Sequence, residues 1–295
     1  MSFKTSLYVT SSAFVFSLFI NTSDLWAADA APKTDFCAVA EPNGKVNVNG
    51  GLGSDNLVGS TAAFGVNGSF SLPIGCSFGM QLDAGLQNEL NNTTYGAALH
   101  AFTRDPSSYL LGVTGGYFND NNSNVMLVGP EAELYADRFS VEAWGGYARI
   151  NVNTLAPSDN GFLMADVAYY PTDDLRLSIG GTVVGGVKYA RAAIEYQVTD
   201  PISLKLDGKF GDDNYVAVNA GLTFYFGAKN GKSLIRRHRE DDPRNRVVDF
   251  VGANPKPPKN SAAPPPTTAG PTTAGPTTTT AAPTTTPAPT TTPID

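Results

Sequence analysis

Between Lys45 and Phe226 apolar residues alternate with polar or small ones in about twelve short runs. The runs cover approximately 45–53, 60–72, 76–88, 93–104, 109–118, 125–136, 138–150, 161–171, 174–184, 187–198, 202–210 and 214–226. In 202–210, Ile202, Leu204 and Leu206 share one parity, and Ser203, Lys205, Asp207 and Lys209 the other. In 187–198, Ala190, Ala192, Ile194 and Tyr196 oppose Arg191, Glu195 and Gln197. Period two puts successive side chains on opposite faces of a strand. Each run is therefore expected to be a strand with one apolar and one polar face. A length of about ten residues is what a tilted strand needs to cross a bilayer.

Two kinds of connection separate the runs. One kind is tight and built from Asp, Pro and Gly, as in Arg104-Asp105-Pro106-Ser107 and Thr199-Asp200-Pro201; these residues favour turns by fixing φ or accepting local hydrogen bonds. The other is rich in Asn and Gly and somewhat longer, as in Asn119–Asn124 and Asn153–Asn160. Such an alternation predicts an antiparallel up-and-down meander. A soluble sandwich alternates as well. Aromatic residues distinguish the two, because Tyr117, Tyr147, Tyr169, Tyr196, Phe139 and Phe226 fall near the ends of the apolar faces. Interfacial girdles of a transmembrane barrel sit there. The expected fold is all-β: an antiparallel up-and-down transmembrane β-barrel of about twelve strands spanning 45–226.

The flanks refine the picture. Met1–Lys4 is basic, Leu7–Ile20 is apolar, and Ala27, Ala28, Ala30 and Ala31 follow. That is the pattern of a secretory signal peptide over 1–30, with cleavage after Ala27 or after Ala30. Residues 31–44 are expected as an N-terminal periplasmic segment, and 227–250 as a charged periplasmic extension. Over 251–295 Pro, Thr, Ala and Gly dominate in loose repeats. Such a composition cannot bury apolar surface and predicts a disordered tail.

Composition excludes some functions. Charged residues are 16% of the chain and net charge is −7; without a basic stripe in the folded part, nucleic acid is not an expected partner. No helix-length apolar run follows the signal. Cys37 and Cys76 are the two cysteines of an exported chain and stand at no metal-ligand spacing, so a disulfide between them is expected and a metal site is not. No cofactor motif is present.

The stretch Asn219-Ala220-Gly221-Leu222-Thr223-Phe224-Tyr225-Phe226 resembles the closing-strand signal of bacterial outer-membrane barrels, carried by Asn219, Gly221, Phe224 and Phe226. From about Ala40 to Asp242 the chain resembles small outer-membrane barrels of the alphaproteobacterial type, and Lys232–Pro243 resembles extensions found on them. The resemblance implies an outer-membrane location, with termini in the periplasm. Expected partners are outer-membrane lipid, lipopolysaccharide and the barrel-assembly machinery, with peptidoglycan reached through an Ala28-Asp29-Ala30 N-terminus or the tail. Fold does not supply a substrate.

Candidate chemistry lies on the polar parity. Lys45, Asp83, His100, Arg104, Glu131, Glu133, Glu142, Asp166, Arg176, Arg191, Glu195, Lys205, Asp207 and Lys209 are expected to line the lumen. Buried charges must pair or be wetted, so the interior either cross-links into a structural barrel or forms a narrow porin-like channel. Lipid-modifying barrel enzymes resembling this one place Ser and His toward lipid, whereas His100 has inward parity. No Gly-x-Ser-x-Gly or His-Glu-x-x-His motif occurs, so no catalytic residue is expected. A lipid-modifying enzyme and a secreted adhesin with a Thr/Pro stalk are the alternatives to the non-enzymatic barrel.

Overall fold

The computed structural model describes residues 37–227, 231–241 and 243–247. The signal peptide at 1–30 and the tail at 251–295 lie outside the described residues. Twelve antiparallel strands form a closed barrel: β1 (Asn43–Asp55), β2 (Gly59–Ile74), β3 (Phe78–Glu89), β4 (Asn92–Asp105), β5 (Tyr109–Asn119), β6 (Ser123–Ala136), β7 (Phe139–Val152), β8 (Ser158–Thr172), β9 (Leu175–Val184), β10 (Val187–Thr199), β11 (Ile202–Gly211) and β12 (Val216–Phe226). Each strand pairs with its sequence neighbours, and β1 closes on β12 from Gly44 opposite Phe226 to Ser54 opposite Val216. Closure leaves no unpaired edge, the condition for strands to cross a hydrocarbon layer.

Alternation turns outward what a soluble fold would hide. Val48, Leu52, Leu82, Leu134, Leu163, Ile179, Leu206 and Leu222 are all exposed on the outer face. This continuous belt has no covering layer among the described residues, and physically it is a lipid-facing surface. Aromatic residues ring it at two levels. Tyr95, Tyr117, Tyr147 and Phe210 lie toward one rim; Phe139, Tyr169, Tyr196, Phe224 and Phe226 lie toward the other, all exposed. Phe139 stacks on Tyr169 with ring centroids 4.8 Å apart.

Connections are short at both rims, and 153–157 is the longest. Asymmetry between turns and loops is thus weaker than the sequence suggested. The even strand number brings Asn43 and Phe226 to the same rim, together with the turns at 75–77, 106–108, 137–138, 173–174 and 200–201. We call this the turn rim and the opposite one the loop rim. At the loop rim β9 and β10 join through Gly185 and Gly186, with φ of 54° and 83°; a two-residue hairpin needs this left-handed backbone, which glycine adopts without strain. No helix among the described residues is long and apolar enough to cross a membrane.

Candidate functional site

The barrel interior holds the polar parity of every strand. Asp83, His100, Arg104, Glu131, Glu133, Glu142, Asp166, Arg176, Arg191, Glu195 and Lys209 are buried there. Lys45, Lys205 and Asp207 face the same way and are partly accessible. In the closing strand Asn219 is buried, Gly221 shares its inward parity, and Phe224 and Phe226 point outward. Cys37 and Cys76 are joined by a disulfide. The bond holds residues 37–42 against the turn rim: Ala38 donates its N–H to the Cys76 carbonyl at 2.8 Å. Val39 packs with Phe102, Leu110 and Tyr135.

The segment after β12 departs from expectation. Sequence placed 227–250 as a charged periplasmic extension, yet part of it, from Arg237 to Val247 among the described residues, is packed inside the barrel. Gly231 donates its N–H to Asp200 at the turn rim. The Ile235 N–H bonds the Asp173 carbonyl at 2.9 Å, and Ile235 clusters with Ala168 and Tyr170. Helix Leu234–Arg236 runs on into a π-helical turn, Arg237–Asp241. Arg237 pairs with Asp200, and Arg239 lies over the rings of Tyr135 and Tyr170.

Beyond it the chain climbs the wall. The Pro243 carbonyl accepts from Gln81 Nε2 at 3.1 Å and from Lys45 Nζ at 3.4 Å. Asn245 Nδ2 donates to the Gly68 carbonyl at 2.8 Å and to Ser69 Oγ at 3.0 Å. The Arg246 N–H reaches Asp83 Oδ2 at 2.7 Å. Val247 is buried in a cluster with Trp144, Phe162, Leu127 and Phe118. It fits because residue 85 is glycine; a Cβ there would meet Val247 at 2.9 Å. The pull is electrostatic: basic side chains of the segment meet the carboxylates of the interior, at low dielectric where pairing offsets desolvation. Sequence reasoning missed Arg244, Arg246 and Val247 as interior residues. The signal that could have found them was the run of Lys232, Arg236, Arg237, Arg239, Arg244 and Arg246 following a barrel rich in inward acids.

Three networks organise the lumen. His100 lies between Asp83 and Glu131, 3.0 Å from each through opposite ring nitrogens, with Thr114 Oγ1 at 2.9 Å. Arg246 Nε approaches Glu131 Oε2 at 3.8 Å. In the second network Arg176 pairs with Glu142 at 2.7 Å, and Arg191 pairs with Asp166 while donating to Thr182 at 2.9 Å. Arg244 joins both acids, 3.0 Å from Asp166 Oδ1 and 3.6 Å from Glu142 Oε2. Third, Glu195 accepts from Ser203 at 2.6 Å and Tyr225 at 2.8 Å, and lies 3.5 Å from His238. His238, on the inserted segment and outside the strands, also meets Tyr170 OH at 3.0 Å. Burial pushes its imidazole down to about 3, against the opposing pull of Glu195.

Small polar cavities remain between the described residues. One, of about 50 Å³, is lined by Arg191, Lys205, Lys209 and Asp207 with the amides of Asn47, Asn49 and Asn219. Another, of about 80 Å³, is lined by Lys45, Glu133, Glu195, Tyr225 and His238. Arg244, Arg176, Lys205, Asn47 and Asn67 border both. No group of His, Cys, Asp and Glu among the described residues is arranged to hold a metal ion.

No family model matches the chain, and no curated protein matches it. Among solved structures the barrel resembles outer-membrane porins. The KdgM porin in complex with disordered oligogalacturonate is 8% identical with a TM-score of 0.47, over 62% of this chain and 99% of that one. The NanC porin is 12% identical with a TM-score of 0.45, over 61% and 98%. Outer membrane phospholipase A from Escherichia coli is 14% identical with a TM-score of 0.44, over 61% and 92%. Two of these are porins and one is an enzyme, so the likeness does not choose between channel and catalyst. The alphaproteobacterial affinity suggested by the sequence finds no counterpart among them.

Proposed function

We propose that this chain is an integral, non-enzymatic barrel of a bacterial outer membrane whose polar interior forms a narrow, porin-like path for small solutes. One observation carries the reading: the closed wall is apolar outside and polar inside, and two adjoining polar cavities remain beside the inserted segment. The turn rim, where both ends of the barrel chain lie and where connections never exceed three residues while the other rim carries the longer 153–157 and 212–215, faces the periplasm. Both histidines lie inside the barrel, His100 in the wall network and His238 on the inserted segment. A lipid-acting Ser/His pair would have to face the belt instead, with the nucleophile within hydrogen-bond reach of its base.

Single-channel recording of purified protein in planar bilayers tests the path. Discrete conductance steps are expected. A folded barrel, shown by heat-modifiable gel mobility, that never conducts at any voltage would leave only a structural role.

A further inference from the structure

Arg244 and Arg246 of the inserted segment fall on one side of the lumen. Arg244 reaches Asp166 and Glu142, which Arg176 and Arg191 already engage. Arg246 lies against Glu131, and its N–H binds Asp83. These four acids come from β3, β6, β7 and β8. With Glu133 they make that wall acidic. The opposite wall, β9 to β12, carries Arg176, Arg191, Lys205 and Lys209 against the carboxylates of Glu195 and Asp207, with Asp207 3.9 Å from Lys205.

The free space follows this division. Five basic side chains and two carboxylates line the smaller cavity. In the larger one Lys45, Arg176, Lys205 and Arg244 face Glu133, Glu142 and Glu195. Over the two cavities together six basic side chains stand beside five carboxylates, so Arg244 supplies the excess of positive charge. Ions crossing a narrow polar path respond to the sign of the charges around it, and a low-dielectric wall strengthens that response.

Building on the channel reading above, we propose that the inserted segment, through Arg244 and Arg246, sets the charge selectivity of the interior. By covering the acidic wall it leaves a path for small anions. Without it, the exposed carboxylates of β3, β6, β7 and β8 would favour cations.

Reversal potentials in a potassium chloride gradient read this directly. The full-length protein is expected to pass chloride in preference to potassium. R244Q/R246Q removes both charges while keeping polar side chains, and should lower the chloride-to-potassium permeability ratio several-fold. A chain ending at Gly227 should show larger conductance and prefer potassium; if it does not assemble, the full-length double variant decides alone. Arg236→Gln is the control, because Arg236 is exposed and pairs with Glu240 of its own helix; its ratio should match the parent. A conducting protein that prefers potassium, or a double variant with unchanged ratio, overturns the proposal and leaves the channel standing. A silent full-length protein beside a conducting truncation also overturns it, making the segment a stopper. Silence of both would remove the channel reading and this proposal together.

Discussion

Phe226 meets two demands at once. Its ring faces outward and stacks with Phe224 at 6.5 Å between centroids, while its backbone closes the barrel opposite Gly44. Residue 44 is glycine because a Cβ there would sit 2.5 Å from the Ser69 carbonyl and 2.7 Å from the Phe226 ring. Phe226→Asp places a charge on the lipid face and removes the terminal aromatic. Outer-membrane yield should fall sharply; normal yield, measured by fractionation, would contradict the lipid-facing assignment. Gly85 makes a second residue-scale test, since it gives Val247 room. Gly85→Leu should expel Val247, with Asn67, whose Cβ lies equally near, yielding a few tenths of an ångström. Ser69→Cys with Asn245→Cys reports this, because Ser69 Oγ and Asn245 Nδ2 are 3.0 Å apart. The engineered pair should cross-link readily in the parent and poorly in the Gly85→Leu background. Inward parity was legible residue by residue because period two allows only two faces. That Gly85 serves a segment 162 positions later was not, since a missing side chain names no partner.

At the scale of elements, all twelve strands were legible, with ends within about three residues of the observed ones. Each strand carries its own alternation, and each turn its own Asp, Pro or Gly. The inserted segment was illegible as an interior element. Lys232–Val247 has no period matching a strand, and its helical stretch is only Leu234–Asp241, so its place is fixed by pairing with distant carboxylates. Its seating should depend on pH. Burial lowers the His238 pKa from 6.5 to about 3, so the seated state favours neutral imidazole. A released segment would take up a proton below its ordinary pKa. Seating is therefore fully favoured above about pH 6.5 and weakens as pH falls toward 3. Glu195, Tyr170 and Tyr225 face this ring from the wall, and Glu195 partly opposes the shift. Cross-linking of the Ser69/Asn245 cysteine pair, followed from pH 7.5 to 5, should decline in the parent. Loss of thiolate with falling pH is common to every variant, so His238→Gln should decline less steeply than the parent, and equal slopes would assign the effect to other groups.

For the whole molecule, the turn rim is where the two ends of the barrel chain reinforce each other. Residues 37–42 are tied to the 75–77 turn by the Cys37–Cys76 bond. From the other end, the Asp241 carbonyl accepts from Asn43 Nδ2 at 3.3 Å. Compartment chemistry and topology made the disulfide legible, because an exported chain oxidises thiols and both cysteines fall at one rim. The burial of Val39 beneath Phe102, Leu110 and Tyr135 was not legible, for a lone apolar residue before the first strand has no period. The bond therefore does more than close a loop: it keeps Val39 seated. Cross-linking across a sequence separation of 39 contributes about 3–4 kcal/mol in the chain-entropy model. Losing a buried valine's packing adds about 1.5 kcal/mol or more. Cys37→Ser with Cys76→Ser should still assemble, since every strand pair remains. It should convert from the folded to the heat-modified gel form at lower temperature than the parent. Val39→Ala should lower that temperature by less, with the disulfide retained. Thiol labelling of unreduced parent protein in denaturant should find neither cysteine free. Labelling at both positions would remove the clip, and the stability difference should then vanish as well.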